Sequence, residues 1–81
     1  MAFTEVFAGI AVADIGSARA WYERLTGRPP DMLPNENEAA WQLAGQGWIY
    51  LVSDRERAGK ALVTLLVDDL DAQVAELAER G

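Results

Sequence analysis

Two stretches of this chain read alike: GIAVADIGSARAWYERLTG, from Gly9 to Gly27, and LVTLLVDDLDAQVAELAERG, from Leu62 to Gly81. An offset of 55 residues lays Val67 on Val12, Asp69 on Asp14, Leu70 on Ile15 and Ala75 on Ala20. Each stretch runs from an apolar segment through an aspartate into helical spacing. A duplicated strand–cap–helix unit is the simplest explanation. The bland alternative is that any two strand–Asp–helix junctions share this outline. If the repeat is real, each unit carries one amphipathic helix and must bury it against a sheet.

The elements follow from local chemistry. FTEVFAGIAVA, residues 3 to 13, is apolar and partly β-branched and reads as a strand, with Gly9 a thin spot or a close approach. Asp14 is an N-cap candidate for a helix from Ile15 to Thr26, whose Ile15, Ala18, Tyr22 and Leu25 share one face. Gly27 stops that helix, and Pro29-Pro30 prevents its return. A short extended piece is expected at Pro30–Leu33. A hairpin is expected over EAAWQLAGQGWIYLVSD, turning at Gly45-Gln46. An uninterrupted hairpin pairs Leu43 with Trp48 and Trp41 with Tyr50, all on one face, with Gln42, Ile49 and Leu51 on the other. After the loop SDRERAGK, ALVTLLV is expected to be a buried strand. Asp69 is a cap, and Leu70–Arg80 a helix with Leu70, Val74 and Leu77 inward. The units divide as 1–53, a linker at 54–60, and 61–81.

Composition removes several chemistries. The chain has 81 residues, no cysteine and no histidine. Disulfides, thiolate zinc sites and Ser–His or Cys–His catalysis are therefore excluded. Only carboxylates and other oxygens could hold a metal, which favours hard ions. A net charge of −6 with no basic cluster speaks against nucleic acid. No apolar run reaches the ~20 residues of a membrane span. The start MAFTEV lacks the basic residue of a signal peptide, so a cytoplasmic protein with no membrane partner is expected. A chain this short buries only roughly 60–65% of its unfolded surface, so its stability margin is thin.

With Trp21-Tyr22 in the first helix, a Leu-x-Gly ending and the VDDLDAQV wording of the second unit, the sequence resembles the glyoxalase/bleomycin-resistance/dioxygenase superfamily, the vicinal oxygen chelate proteins. The resemblance implies an α+β fold: a βαβββ module followed by the first strand and helix of a second, incomplete one. It also implies curved sheets that cup a pocket, with helices on the outer side. Metal enzymes of that family place ligands where this chain has Phe7, Tyr50 and Leu62. A phenyl ring and an isobutyl group cannot coordinate a metal, and a phenol rarely does. No cofactor and no metal are therefore expected.

On these readings the ligand-binding candidates are Phe7, Trp41, Trp48, Tyr50, Leu62 and Thr64, a ring-rich hollow suited to stacking a flat molecule. The resemblance to metal-free bleomycin-binding proteins makes sequestration of a small hydrophobic or aromatic molecule the leading function. The bland alternative is that these rings are simply core, and Trp21 could pack on the sheet or at a subunit contact. An enzyme would have to draw its acid, base or hard-ion ligands from Glu36, Glu38, Asp54 and Glu56, residue types that most often form solvated turns. Asp14, Asp68, Asp69 and Asp71 suit helix starts, and Ser17 and Thr64 lack an activating base. A third possibility is a ligand-free dimerisation module. The strand at 61–67 would be left without neighbours. Either further chain of about 30–40 residues, which the resemblance implies, or a second copy in a homodimer is expected to cover it.

Overall fold

The computed structural model describes residues 3–81. The elements run β1 (Val6–Val12), α1 (Ile15–Thr26), β2 (Met32–Asn35), β3 (Glu38–Ala44), β4 (Gly47–Ser53) and α2 (Leu70–Arg80). The fold is α+β, with one four-stranded mixed sheet in the order β1-β4-β3-β2. β2, β3 and β4 form an antiparallel meander, and β4 returns alongside β1 in parallel.

Both helices begin as the repeat requires. Asp14 has extended backbone (φ −131°, ψ 106°), and so has Asp69 (φ −143°, ψ 98°). The Asp14 carboxylate accepts from the Ser17 N–H at 3.4 Å and the Gly16 N–H at 3.0 Å. Asp69 accepts from the Ala72 N–H at 3.0 Å, and Ala72 lies 55 residues beyond Ser17. Each bond satisfies one of the orphan donors at a helix start. α1 ends at Gly27 in the left-handed region (φ 80°), its N–H bonded to the Glu23 carbonyl at 2.8 Å.

α1 covers one face of the sheet. Ile10, Ala39, Trp41, Ile49 and Leu51 are buried there, with Val12, Ile15, Ala18, Tyr22 and Leu43 packed against them. The Trp41 indole N–H donates to the Arg28 carbonyl at 3.1 Å, so the largest core side chain leaves no unpartnered polar atom.

The hairpin register differs from the uninterrupted pairing. The turn lies at Gly45-Gln46, and Ala44 pairs with Gly47, as expected. The register then shifts: Gln42 pairs with Trp48, Trp41 with Ile49 and Ala40 with Tyr50. One extra residue, Leu43, is taken up as a bulge, and a single-residue slip turns every side chain beyond it to the other face. Trp41 and Leu43 therefore join Ile49 and Leu51 beneath α1, where the greatest apolar burial is available. The Gln42 side-chain amide donates to the Gly45 carbonyl and braces the bulge against the turn.

Four further expectations are corrected. β1 spans only Val6–Val12, and Phe3 is exposed. The extended piece expected at Pro30–Leu33 lies at Met32–Asn35. Residues 61–67 form no strand: no neighbouring strand takes up their N–H and C=O groups among the described residues. They still alternate, with Leu62 and Leu66 100% and 93% exposed against 42% and 43% for Val63 and Val67. α2 leans on α1 through Leu77 and Arg80 rather than through Leu70 and Val74, which are exposed. The Arg80 guanidinium donates to the Leu25 carbonyl at 3.0 Å and pairs with Glu76 at 2.9 Å, fastening the second helix to the end of the first.

Candidate functional site

The face of the sheet opposite α1 is built from the parallel seam between β1 and β4. Pairing aligns Phe7 with Trp48, Gly9 with Tyr50 and Ala11 with Val52. In a parallel pair these partners point the same way, so the three rungs form a graded surface, with rings at one end and small side chains at the other. Phe7 and Trp48 stack with centroids 5.1 Å apart and planes 18° apart. Tyr50 meets Phe7 edge-on at 6.4 Å. Both are favoured geometries for aromatic pairs. The Trp48 indole N–H donates to the Glu5 carboxylate, which fixes the ring from the strand entrance.

Gly9 makes the hollow. A Cβ there would lie 2.6 Å from the Tyr50 hydroxyl oxygen and 2.7 Å from Cζ. The phenol therefore lies flat across the bare backbone of β1, a close approach only glycine permits. Beside it opens a cavity of about 330 Å³, floored by Gly9, Ala11, Tyr50 and Val52 and flanked by Arg57 and Lys60 from the loop after β4. That volume is at the small end of the roughly 300–1,000 Å³ typical of ligand pockets.

Of the residues singled out from sequence, Phe7, Trp48 and Tyr50 come together. Trp41 is fully buried behind the sheet. Leu62 and Thr64 lie in the exposed 61–67 stretch, and of the six candidates only Tyr50 lines this cavity, the Phe7–Trp48 stack lying two residues further along the β1–β4 seam. Arg57 and Lys60 were hidden in a loop that reads as solvated. The signal for them is slight: Lys60 is the sole lysine of the chain.

The carboxylates serve other ends. Asp54 accepts from Arg57 Nε at 2.7 Å and from the Glu56 N–H at 3.1 Å. The Arg57 side chain holds the Asp54 carboxyl below its ordinary range, and Asp54 in turn raises the Arg57 guanidinium. Glu38 accepts from the Asn35 amide at 2.9 Å. Glu36 and Glu38 line a different hollow, of about 350 Å³, on the α1 side with Arg19. Tyr22, on the sheet-facing side of α1, is raised by burial. Asp31 is lowered by the Arg28 guanidinium at 2.9 Å and by the Gln42 N–H at 2.7 Å. It ties the α1–β2 connection to β3.

The donor set does not fit the metal that the superfamily's enzymes hold. Phe7 offers no donor atom, Leu62 offers none, and Tyr50 supplies only a phenol oxygen, a rare metal ligand. Among the described residues no three Asp or Glu side chains gather in a group that could hold an ion.

A βαβββ unit with a helix on one sheet face and exposed aromatic rings beside a hollow on the other defines a class of small α+β proteins with a sheet-face pocket. No protein-family profile matches the chain, and no curated protein does. Among solved structures it is similar to a glyoxalase/bleomycin resistance protein from Catenulispora acidiphila DSM 44928. The two are 47% identical with a TM-score of 0.92, over 98% of this chain and 71% of that one. The chain belongs to the glyoxalase/bleomycin resistance protein family.

Proposed function

We propose that this protein binds and sequesters a small planar or aromatic molecule, without a metal, on the helix-free face of its sheet. The observation that carries this is the stacked Phe7–Trp48 pair with Tyr50 edge-on beside it, on a face that α1 leaves open. A protein with no use for that face would be expected to turn rings inward, as it does with Trp41. The bleomycin resistance name of the similar structure supports the same reading. Phe7, Trp48 and Tyr50 supply the stacking surface. Leu62 and Thr64 are the side chains that would close it when the 61–67 stretch is covered. The proposal includes a cytoplasmic homodimer, a second copy covering the apolar Leu62 and Leu66. No helix is long and apolar enough to cross a membrane among the described residues.

The test is titration with 2-naphthamide, a neutral flat probe, followed by the indole N–H resonances in a 15N correlation spectrum. The Trp48 signal is expected to move and saturate at one probe per pocket, with and without EDTA. The buried Trp41 signal should stay fixed. Saturable binding that EDTA abolishes would favour a metal-dependent site. No movement of Trp48, together with stability that rises with protein concentration, would leave only the dimerisation module.

A further inference from the structure

From the rim of the same hollow we infer that the bound molecule is an aromatic acid, its ring on Phe7–Trp48 and its anionic group between Lys60 and the Tyr50 hydroxyl. This rests on the proposed stacking site and adds the ligand's charge to it. The chain carries 13 acidic residues and 7 basic ones, yet the cavity beside Tyr50 is flanked by two cations and lined by no carboxylate. Chance placement in so acidic a chain would favour the opposite sign.

The two cations differ. Arg57 is already engaged by Asp54 at 2.7 Å, so much of its charge is answered. Lys60 has no ion pair among the described residues, and its ammonium group is free to meet an incoming anion. The Tyr50 hydroxyl lies over Gly9 on the cavity floor, where it can donate a second hydrogen bond.

The geometry also sets the ligand's length. Phe7–Trp48 and Ala11–Val52 are four residues apart along each strand, roughly 13 Å at about 3.3 Å per residue. A bicyclic ring with a carboxylate on its edge spans much of that distance. The rings grip its flat body, and the cations meet its charged end. Elsewhere the protein's net charge of −6 repels anions, so selectivity depends on this local reversal of sign.

The experiment compares three probes of one shape, 2-naphthoate, 2-naphthamide and 2-naphthylmethylammonium, by calorimetry on the purified protein. The acid is expected to bind about tenfold more tightly than the amide, and the ammonium least. Lys60→Gln should reduce the acid's affinity about threefold to fivefold, the scale of an exposed ion pair, and the amide's by a smaller factor. Lys60→Glu should reverse the preference between acid and ammonium, and added salt should compress the acid–amide difference. Lys60 is exposed in a loop, so these variants are expected to fold as the parent does. Equal affinity for acid and amide, or tightest binding of the ammonium, would overturn the charge inference while leaving the stacking site in place. Failure of all three probes to bind would overturn the stacking site itself, and this inference with it.

Discussion

The bulge at Leu43 separates two tryptophans that an unbroken hairpin would put side by side, and the separation can be measured. Trp41 is 0% exposed beneath α1. Truncating it to alanine returns about 200 Å² of apolar surface to the account, about 5 kcal/mol at 25 cal/mol/Å². Large-to-small changes at aromatic core sites fall near 3–5 kcal/mol, in the same range. The Arg28 carbonyl would lose the indole donor and share the single proton of the Thr26 hydroxyl, 3.1 Å away, with the Tyr22 carbonyl at 2.9 Å, which adds to the cost rather than lowering it. A chain of this length has a total stability of about 4–12 kcal/mol. Trp41→Ala should therefore be unfolded, or nearly so, in buffer. Trp48 is only half-buried, and its main partner is the stacked Phe7. Trp48→Ala should cost about 1–2 kcal/mol, lowering a urea midpoint by roughly 1–2 M at a slope near 1 kcal/mol/M. Binding should show the inverse pattern. Trp41→Phe, which keeps a ring in the core, should bind 2-naphthamide as the parent does, whereas Trp48→Ala should not bind it. Urea melts followed by circular dichroism, with calorimetry for binding, decide the matter. Equal destabilisation by the two truncations, or a Trp41→Ala cost below about 2 kcal/mol, would refute the assignment of faces.

Gly9→Ala should push the Tyr50 ring off the strand, because the new Cβ falls 2.6 Å from its hydroxyl. Stability should change by less than about 1 kcal/mol, since alanine also lowers the entropy of the unfolded chain, while probe affinity drops at least tenfold by calorimetry. Asp14, Asp31 and Asp54 all have carboxyls held below the ordinary value of 3.8. Groups lowered by folding add stability that is complete above their unfolded values and is lost as pH falls through the folded ones, so urea midpoints should be flat near neutrality and fall below about pH 4. Asp31→Asn should flatten part of that fall. Arg80→Ala removes the bonds to the Arg24 and Leu25 carbonyls and the pair with Glu76. Hydrogen exchange should show α2 amides losing protection while those of β1, β3 and β4 keep theirs.

The parts of this fold that sequence shows are those fixed within a few residues. Asp14 and Asp69 announce helix starts because a carboxylate three residues ahead of an N–H is a local geometric fit, and Gly27 announces a stop for the same kind of reason. The turn at Gly45 follows from glycine's tolerance of positive φ, here 50°. A glycine amid β-formers reads as a thin spot or a close approach, and at Gly9 the structure supplies the second, with Tyr50 as the partner. Phe7, Trp48 and Tyr50 fell on one face by strict alternation along unbroken strands. Alternation places Trp41 on that face too, and the structure turns it to the other, because β3 reads as an unbroken alternation and nothing in it marks the inserted residue. The choice was made by the room beneath α1, a tertiary fact. The cationic rim was illegible for a related reason: loop periodicity does not say which way a loop folds, and Arg57 and Lys60 matter only because theirs turns back across the β1–β4 seam.

That seam joins the first strand of the module to its last, with the helix and both other strands lying between them in sequence. Its stacked rings can meet only after the whole intervening length has been ordered, an event of long loop closure rather than of local collapse. A molecule held across it would thus have no affinity for any half-assembled form. Occupancy should raise the cooperative melting temperature of the entire sheet, and a thermal-shift screen over candidate compounds would report directly on the completed module.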